Sequence, residues 1–389
     1  MSQSDPASQF QETFSATPEW HIKAPGRINL IGEHVDYLDG FVMPAAIDRS
    51  LEMLVRANHT DQVRIWTTLV GNREPVSFSL SNLEPQSGDR YWLNYIAGVF
   101  EMMRRHGIEL KGFDAVITAD LPTGAGLSSS AALETVSALA MEAVTGTSLN
   151  PLKRAQLCLQ AEQEFAGVPC GMMDQLAVGM GRKNHALLID CRDHSVEPVP
   201  IPSDVAIVIA DTQVKHALGD GEYRKRRESC EAALSILGKE SWRDITDSDL
   251  ADKEAELGEL LMRRSKHVIS EIKRVLKMRD ALLSGNLEPI AEIMRAGHES
   301  LRDDYEVSCP ELDFLVDAAY DFGTKNGLIG SRMTGGGFGG STVSLVKIDA
   351  AEALKSHLSD RFSDQFNREP NCFIAQIAEH AVSTPFVTK

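Results

Sequence analysis

No uncharged apolar run in the 389-residue sequence approaches the roughly 20 residues that a membrane-spanning helix requires. Positive charge is also scarce, with 39 Lys and Arg against 56 Asp and Glu, a formal net charge of −17. Phosphate backbones and anionic leaflets repel such a chain, so neither nucleic acid nor a membrane is an expected partner. The six cysteines, Cys158, Cys170, Cys191, Cys230, Cys309 and Cys372, are dispersed and include no C-x-x-C pair. That is neither a disulfide scaffold nor a redox motif, and they read as reduced thiols. Residues 1–19 contain Asp5, Glu12 and Glu19, no Lys or Arg, and no apolar core. A secretory signal is therefore not expected and the cytoplasm is the expected compartment, which makes Asn58-His59-Thr60 a chance sequon. A Walker A sequence, G-x-x-x-x-G-K-[ST], is absent as well.

The composition, 43% hydrophobic and 24% charged, is that of a folded globular chain. At about 150 residues per domain the length suits two or three domains, or one enzyme in two lobes. Residues 1–19, rich in Ser, Gln and Thr, are expected to form a flexible tail. Alternation at Leu51, Met53 and Val55, at Val63 and Ile65, and at Val76, Phe78 and Leu80 predicts three short antiparallel strands. A helix is expected over 89–106, a strand over 113–119, helices from Ser129 and over 152–166, strands over 186–191, 205–210 and 341–348, and a charged helical region over 222–300. The elements come in mixed blocks without regular βαβα alternation, which favours an α+β fold in two lobes. The expected division is 20–200 and 201–389.

Three segments carry chemistry. In the first, Gly26-Arg27-Ile28-Asn29-Leu30-Ile31-Gly32-Glu33-His34-Val35-Asp36-Tyr37, an Arg, a His and two carboxylates crowd within ten residues. Carboxylates accept from sugar hydroxyls while Arg and His donate, so the set suits a polyol, although a polar turn with local salt bridges would look the same. The second, Leu121-Pro122-Thr123-Gly124-Ala125-Gly126-Leu127-Ser128-Ser129-Ser130-Ala131-Ala132, runs from a predicted strand into a predicted helix. Unpaired N–H groups and the positive end of the helix dipole make such a loop an anion site, and three serines exceed what a cap needs. In the third, Gly335, Gly337 and Gly340 satisfy G-x-G-x-x-G, but a strand follows, so a dinucleotide fingerprint is rejected. Five glycines in six residues still imply close backbone approach, to a ligand or to the first glycine loop. Asp174 lies in an apolar stretch where a carboxylate is costly unless paired or functional. Asp321-Phe322-Gly323 lacks the companion motifs of protein kinases and reads as chance. Arg224-Lys225-Arg226-Arg227 reads as a solvated helix face.

Together the segments resemble the superfamily of galactokinase, homoserine kinase, mevalonate kinase and phosphomevalonate kinase. The second is similar to its P-x-G-x-G-L-S-S-S-A phosphate loop, and the first, with Gly40 and Pro44, to the signature of the galactokinase family. Val35 and Leu38 depart from that signature, where Thr and Asn are usual. The resemblance implies an N-terminal α+β lobe, a ferredoxin-like C-terminal α+β lobe and a site between them. It implies transfer of the ATP γ-phosphoryl group to the anomeric hydroxyl of galactose, with ATP and galactose as partners and Mg2+ as cofactor. Asp174 would be the base and Arg27 its neighbour, and Glu33, His34, Asp36, Gly171, Asp174 and Tyr223 would contact the sugar. Gly124, Ala125, Gly126, Leu127, Ser128, Ser129 and Ser130 would hold the phosphates, and Ser130 and Glu162 the metal. A related sugar-1-kinase acting on N-acetylgalactosamine or L-arabinose, or a non-catalytic galactose sensor, would share most of these residues.

Overall fold

The computed structural model describes residues 5–70, 74–215 and 219–387. Alternating apolar side chains build a first sheet in the order β13 (Val382–Pro385), β1 (Trp20–Asn29), β3 (Pro44–Ala57), β6 (Phe113–Ala119), β4 (Gln62–Thr67), β5 (Val76–Ser79). β6 inserts between β3 and β4 and runs parallel to β4. A parallel pair needs a long crossover, here the connection through α2 (Asn94–Arg105). The three strands expected as an antiparallel run therefore share only one direct pairing, β4 with β5.

The expected flexible tail is corrected by α1 (Pro6–Phe14), which Asp5 caps by accepting from the Ser8 N–H, with Pro6 opening the first turn. Phe10 is fully buried against Leu54 and Val116 on the outer face of the sheet. An amphipathic turn carrying few apolar residues can dock through a single large one, which composition does not reveal.

A small sheet, β2 (Phe41–Val42), β7 (His185–Asp190) and β8 (Ser195–Pro200), and helices α3 (Ser129–Thr145), α4 (Pro151–Ala161) and α5 (Met173–Met180) complete the first lobe. The third sheet has the order β10 (Leu328–Thr334), β11 (Gly339–Lys347), β9 (Val205–Lys215), β12 (Asn371–Ala375), all antiparallel. With α10 (Pro310–Phe322) before β10 and α11 (Ala351–Phe366) before β12, the chain reads βαββαβ, the expected ferredoxin-like lobe. Both helices cover one face, burying Leu315, Leu354 and Phe362 against Val208 and Val346. α6 (Gly219–Leu237), α7 (Asp247–Asp252), α8 (Glu254–Ser284) and α9 (Ile290–Asp303) fill the charged region between β9 and α10. The chain's last strand, β13, returns to pair with β1 of the first sheet. A continuous core joins Ile28 of β1 and Leu30 just beyond it with Val343 and Leu345 of β11.

Candidate active site

The site begins with the way β1 turns. Its pairing with β3 shifts register between Pro25 and Gly26. A Cβ on Gly26 would collide with Leu121 Cδ1 and lie 2.9 Å from the Leu127 carbonyl oxygen, so only glycine admits this approach. The Arg27 N–H consequently donates to that carbonyl at 3.1 Å. The guanidinium of Arg27, almost fully buried, donates from Nε to Asp174 Oδ1 and from Nη2 to Oδ2, both at 2.8 Å, and from Nη1 to the Gly126 carbonyl. Asp174 stands in the first turn of α5 with a quarter of its side chain open.

Ser128 occupies the N-cap position of α3 with φ 59° and makes no side-chain cap. Its hydroxyl donates instead to Asp174 Oδ2. The neighbouring carbonyls of Ala125, Gly126 and Leu127 all accept from the protein, from Ser341 Oγ, Arg27 Nη1 and Arg27 N–H. The side chains of Ala125 and Leu127 are buried, so it is backbone that this loop offers. The first-turn N–H groups of α3 have no intrahelical acceptor and carry the positive end of the helix dipole. Behind the loop, a Cβ on Gly335 would lie 2.9 Å from the Gly126 carbonyl oxygen and one on Gly340 3.1 Å from that of Ala125. The third segment thus packs on the first glycine loop, while Gly335 and Gly336 also face a cavity.

That cavity, about 160 Å³, is lined by Arg27, Glu33, His34, Asp36, Glu162, Gly171, Asp174 and Tyr223 together with Val168, Cys170 and Met173. Residues far apart in sequence and named above as sugar contacts meet here. Burial pushes the Glu33 carboxyl up to about 7 against the pull of Arg332; its Oε2 is in ion-pair contact with Arg332 Nη2, and Oε1 has no hydrogen-bond partner. Burial, then the charge of Asp174, raises Asp36 to about 6. A Cβ on Gly171 would lie 2.5 Å from Asp36 Oδ2, which accounts for the glycine. Tyr223 on α6 places its ring 5.0 Å from that of His34. Val35 and Leu38, where the signature is broken, are packed in the apolar core with Val42 and Leu176.

His34 departs from expectation. With φ 61° it turns Nε2 to the Gly336 carbonyl and Nδ1 to the Tyr37 hydroxyl, both at 3.0 Å. A carbonyl only accepts, so Nε2 carries the proton and Nδ1 accepts from Tyr37. Burial lowers the imidazole to about 4 and keeps it neutral. Donation from its ring to a sugar hydroxyl is replaced by donation to Gly336, and His34 shapes the wall.

Glu162 opens a π-helical turn, Glu162–Ala166, a local widening common at functional sites. Burial, then Asp174, pushes it up to about 7, while hydrogen bonds from Cys170, Ser130 and Gln175 oppose the shift. Gln175 Nε2 bridges Glu162 Oε2 at 2.7 Å and Glu134 Oε2 at 3.0 Å. Glu134, Gln175 and the Ser128 hydroxyl were not assigned from sequence. The available signal for Glu134 was a carboxylate next to Leu133 of the apolar stripe of α3, only five residues beyond Ser129; its full burial is visible only in the structure. The basic run is corrected in its second half: Arg224 and Lys225 are exposed as expected, but Arg226 is buried and donates to the carbonyls of Tyr305 and Glu306 at 2.7 Å, and Arg227 reaches the Pro169 carbonyl. Helix packing turns Arg226 and Arg227 inward. Asp321 merely pairs with Arg361 near the end of α10.

The chain is similar to known proteins. Residues 8–57 match the galactokinase galactose-binding signature, 94–182 the N-terminal domain of GHMP kinases and 278–364 their C-terminal domain. A galactokinase of Roseiflexus sp. is 40% identical, the alignment covering 95% of this chain and 94% of the relative, and that of Homo sapiens is 42% identical over 91% and 90%. The chain belongs to the galactokinase family. The structure of Lactococcus lactis galactokinase complexed with galactose superposes with a TM-score of 0.91 at 32% identity, over 97% of this chain and 98% of that one. A mevalonate kinase structure, at 18% identity and a TM-score of 0.63 over 92% and 99%, shares the fold. Among the described residues no helix is long and apolar enough to cross a membrane.

Proposed function

We infer that the chain transfers the γ-phosphoryl group of ATP to the anomeric hydroxyl of α-D-galactose, giving galactose 1-phosphate and ADP. The observation that carries this reading is the Arg27 guanidinium, which joins the carboxylate of a small polar cavity to the glycine loop at the start of α3. Sugar and phosphate subsites so linked bring acceptor oxygen and donor phosphorus together, and phosphoryl transfer depends chiefly on such positioning and on charge neutralisation. Backbone N–H groups of residues 124–130 hold the phosphates. Glu33, Asp36, Gly171 and Tyr223 fit around the sugar, with His34 as wall. Asp174 takes the proton of the anomeric hydroxyl as its oxygen attacks the γ-phosphorus and the bond to ADP breaks. Arg27 fixes both oxygens of that carboxylate and offsets negative charge on the transferring group.

Magnesium fits the donors beside the loop. Among the described residues no three His, Cys, Asp or Glu side chains form a ready cage, but Glu134 Oε1 is buried without a partner. Glu162 is raised by burial, and both carry oxygens that suit a hard cation. Ser130 and Glu162 would hold the ion, directly or through water; when bound it neutralises the β- and γ-phosphates.

ADP release measured separately with galactose, glucose, N-acetylgalactosamine and L-arabinose tests the reading. Buried polar groups matched to particular hydroxyls discriminate by up to about 10⁴–10⁵, so glucose, inverted at one hydroxyl, should be a very poor acceptor. Glucose within about tenfold of galactose would sink the assignment. Preference for N-acetylgalactosamine or L-arabinose would identify a related sugar-1-kinase, and galactose binding without ADP release a sensor.

A further inference from the structure

The sugar loop, residues 31–36, belongs to the first lobe, yet three side chains of the second lobe grip it. Glu271 on α8 accepts from the Gly32 N–H at 2.8 Å. His267, one turn earlier on the same helix, donates from Nε2 to the Glu33 carbonyl at 3.2 Å. Arg332 on β10 pairs with the Glu33 carboxylate and donates from Nη1 to Glu271 Oε1 at 2.8 Å. Arg274 holds the other oxygen of Glu271 at 2.7 Å. Glu33, Arg332 and Glu271 are at most 1% exposed. The helix behind them is cleared for the guanidinium, since a Cβ on Gly297 of α9 would lie 2.9 Å from Arg332 Nη1.

A buried row of carboxylate, guanidinium and carboxylate is weak as a stabilising device, because desolvation consumes most of the attraction. Its geometry has a clearer use. At one end of the row Glu33, which lines the cavity, gives Oε2 to the Arg332 ion pair and keeps Oε1 without a hydrogen-bond partner, while the other end is saturated by Gly32, Arg274 and Arg332. We propose that Arg332 and Glu271 are positioning residues for sugar recognition: Arg332, shared between two carboxylates, aims Glu33 into the cavity, and Glu271 governs how much of the Arg332 charge Glu33 receives. This rests on Glu33 being a sugar contact.

The groups facing Glu33 are Arg332 from β10, Glu271 and His267 from α8, Arg27 from β1 and the adjoining His34. Burial pushes Glu33 up, Arg332 draws it down and Glu271 pushes it up again. His267, lowered to about 3 by burial, stays neutral and does not titrate with it. Removing the Glu271 charge therefore leaves Arg332 to Glu33 alone and should move the acid limb of kcat/KM for galactose to lower pH. Removing the Arg332 charge should move the limb the opposite way.

The test is steady-state kinetics of the full chain across about pH 5 to about pH 9, varying galactose and ATP separately, for Glu33→Gln, Glu271→Gln, Arg332→Gln and Arg332→Lys. Expected are a galactose KM raised about tenfold or more in each variant and an ATP KM changed less than about twofold. The two acid-limb displacements should have opposite signs, and Arg332→Lys, which keeps the charge without the fork, should return the limb but not the KM. Limbs that stay put, or losses shared equally by both substrates, would overturn the proposal. If the glutamine variants do not fold, Arg332→Lys decides: an unchanged galactose KM, or failure of this variant to fold as well, assigns the row to folding alone. A Glu33→Gln enzyme with normal galactose KM would instead remove Glu33 from the sugar site. Raised KM in that variant alone would remove only the positioning role.

Discussion

Arg27 commits all three of its guanidinium nitrogens, two to Asp174 and one to the phosphate loop, so the base cannot be altered without disturbing the link between subsites. Asp174→Asn keeps the shape but cannot take a proton, and kcat should fall by about 10²–10⁴ with a much smaller change in galactose affinity. Near-normal turnover, read by ADP release, would take Asp174 out of the mechanism. Gly171→Ala tests the opposite wall: its methyl would sit 2.5 Å from Asp36 Oδ2. Displacing that carboxylate should raise galactose KM about tenfold or more while stability falls by about 1–3 kcal/mol; an unaltered KM would show that Asp36 does not face the sugar. At this scale the sequence was readable where chemistry is local. Arg27, Glu33 and Asp36 could be named because they crowd into one segment. The ring partner of His34 could not, because Gly336 lies 302 residues away.

The two glycine segments form a single structure, one bearing on the other through carbonyls that no side chain could approach so closely. Gly335→Ala brings a Cβ to 2.9 Å from the Gly126 carbonyl oxygen at φ +83°. Backbone strain and contact together should cost about 1–3 kcal/mol and, by shifting the phosphate loop, raise the ATP KM more than the galactose KM. Equal effects on both substrates would indicate that the loop does not hold the nucleotide. Helix α1 makes a separable claim on stability. Truncating its fully buried anchor, Phe10→Ala, should cost about 3 kcal/mol or more in thermal or denaturant unfolding with kcat unchanged. A negligible loss would return residues 1–19 to the status of a tail. The expected strands and helices were legible wherever apolar periodicity was strong. The insertion of β6 between β3 and β4 was not, since periodicity fixes which face of a strand is buried and says nothing about its neighbours.

Over the whole molecule, buried ionisable groups give stability a definite pH dependence. Glu33 and Glu162 are raised to about 7 and Asp36 to about 6, so the folded chain holds protons that the unfolded chain releases above its ordinary carboxyl range. Their contribution is fully present below that range and is lost as pH rises through 6 and 7. His34 and His267, lowered by burial to about 4 and about 3, act with the opposite sign, adding stability as pH rises toward the ordinary imidazole value of about 6.5. Above that value only the carboxyls remain active, and the ligand-free protein should lose stability toward pH 8. Glu33→Gln removes one of these carboxyls, so its Tm relative to the parent should climb between about pH 5 and about pH 8, by an amount on the order of a few kcal/mol in stability. A constant difference would contradict the burial of an ionisable group there. The sequence by itself determined the reaction class, because phosphate binding needs a glycine-and-serine loop between a strand and a helix, all of it contiguous chain, and the galactokinase signature is contiguous too. Only the tertiary structure decided which charges act on which. Burial, Arg332 and Glu271 set the charge of Glu33, and burial and Asp174 that of Glu162; the packing of two lobes around one core brings these groups together, and no spacing along the chain encodes those distances.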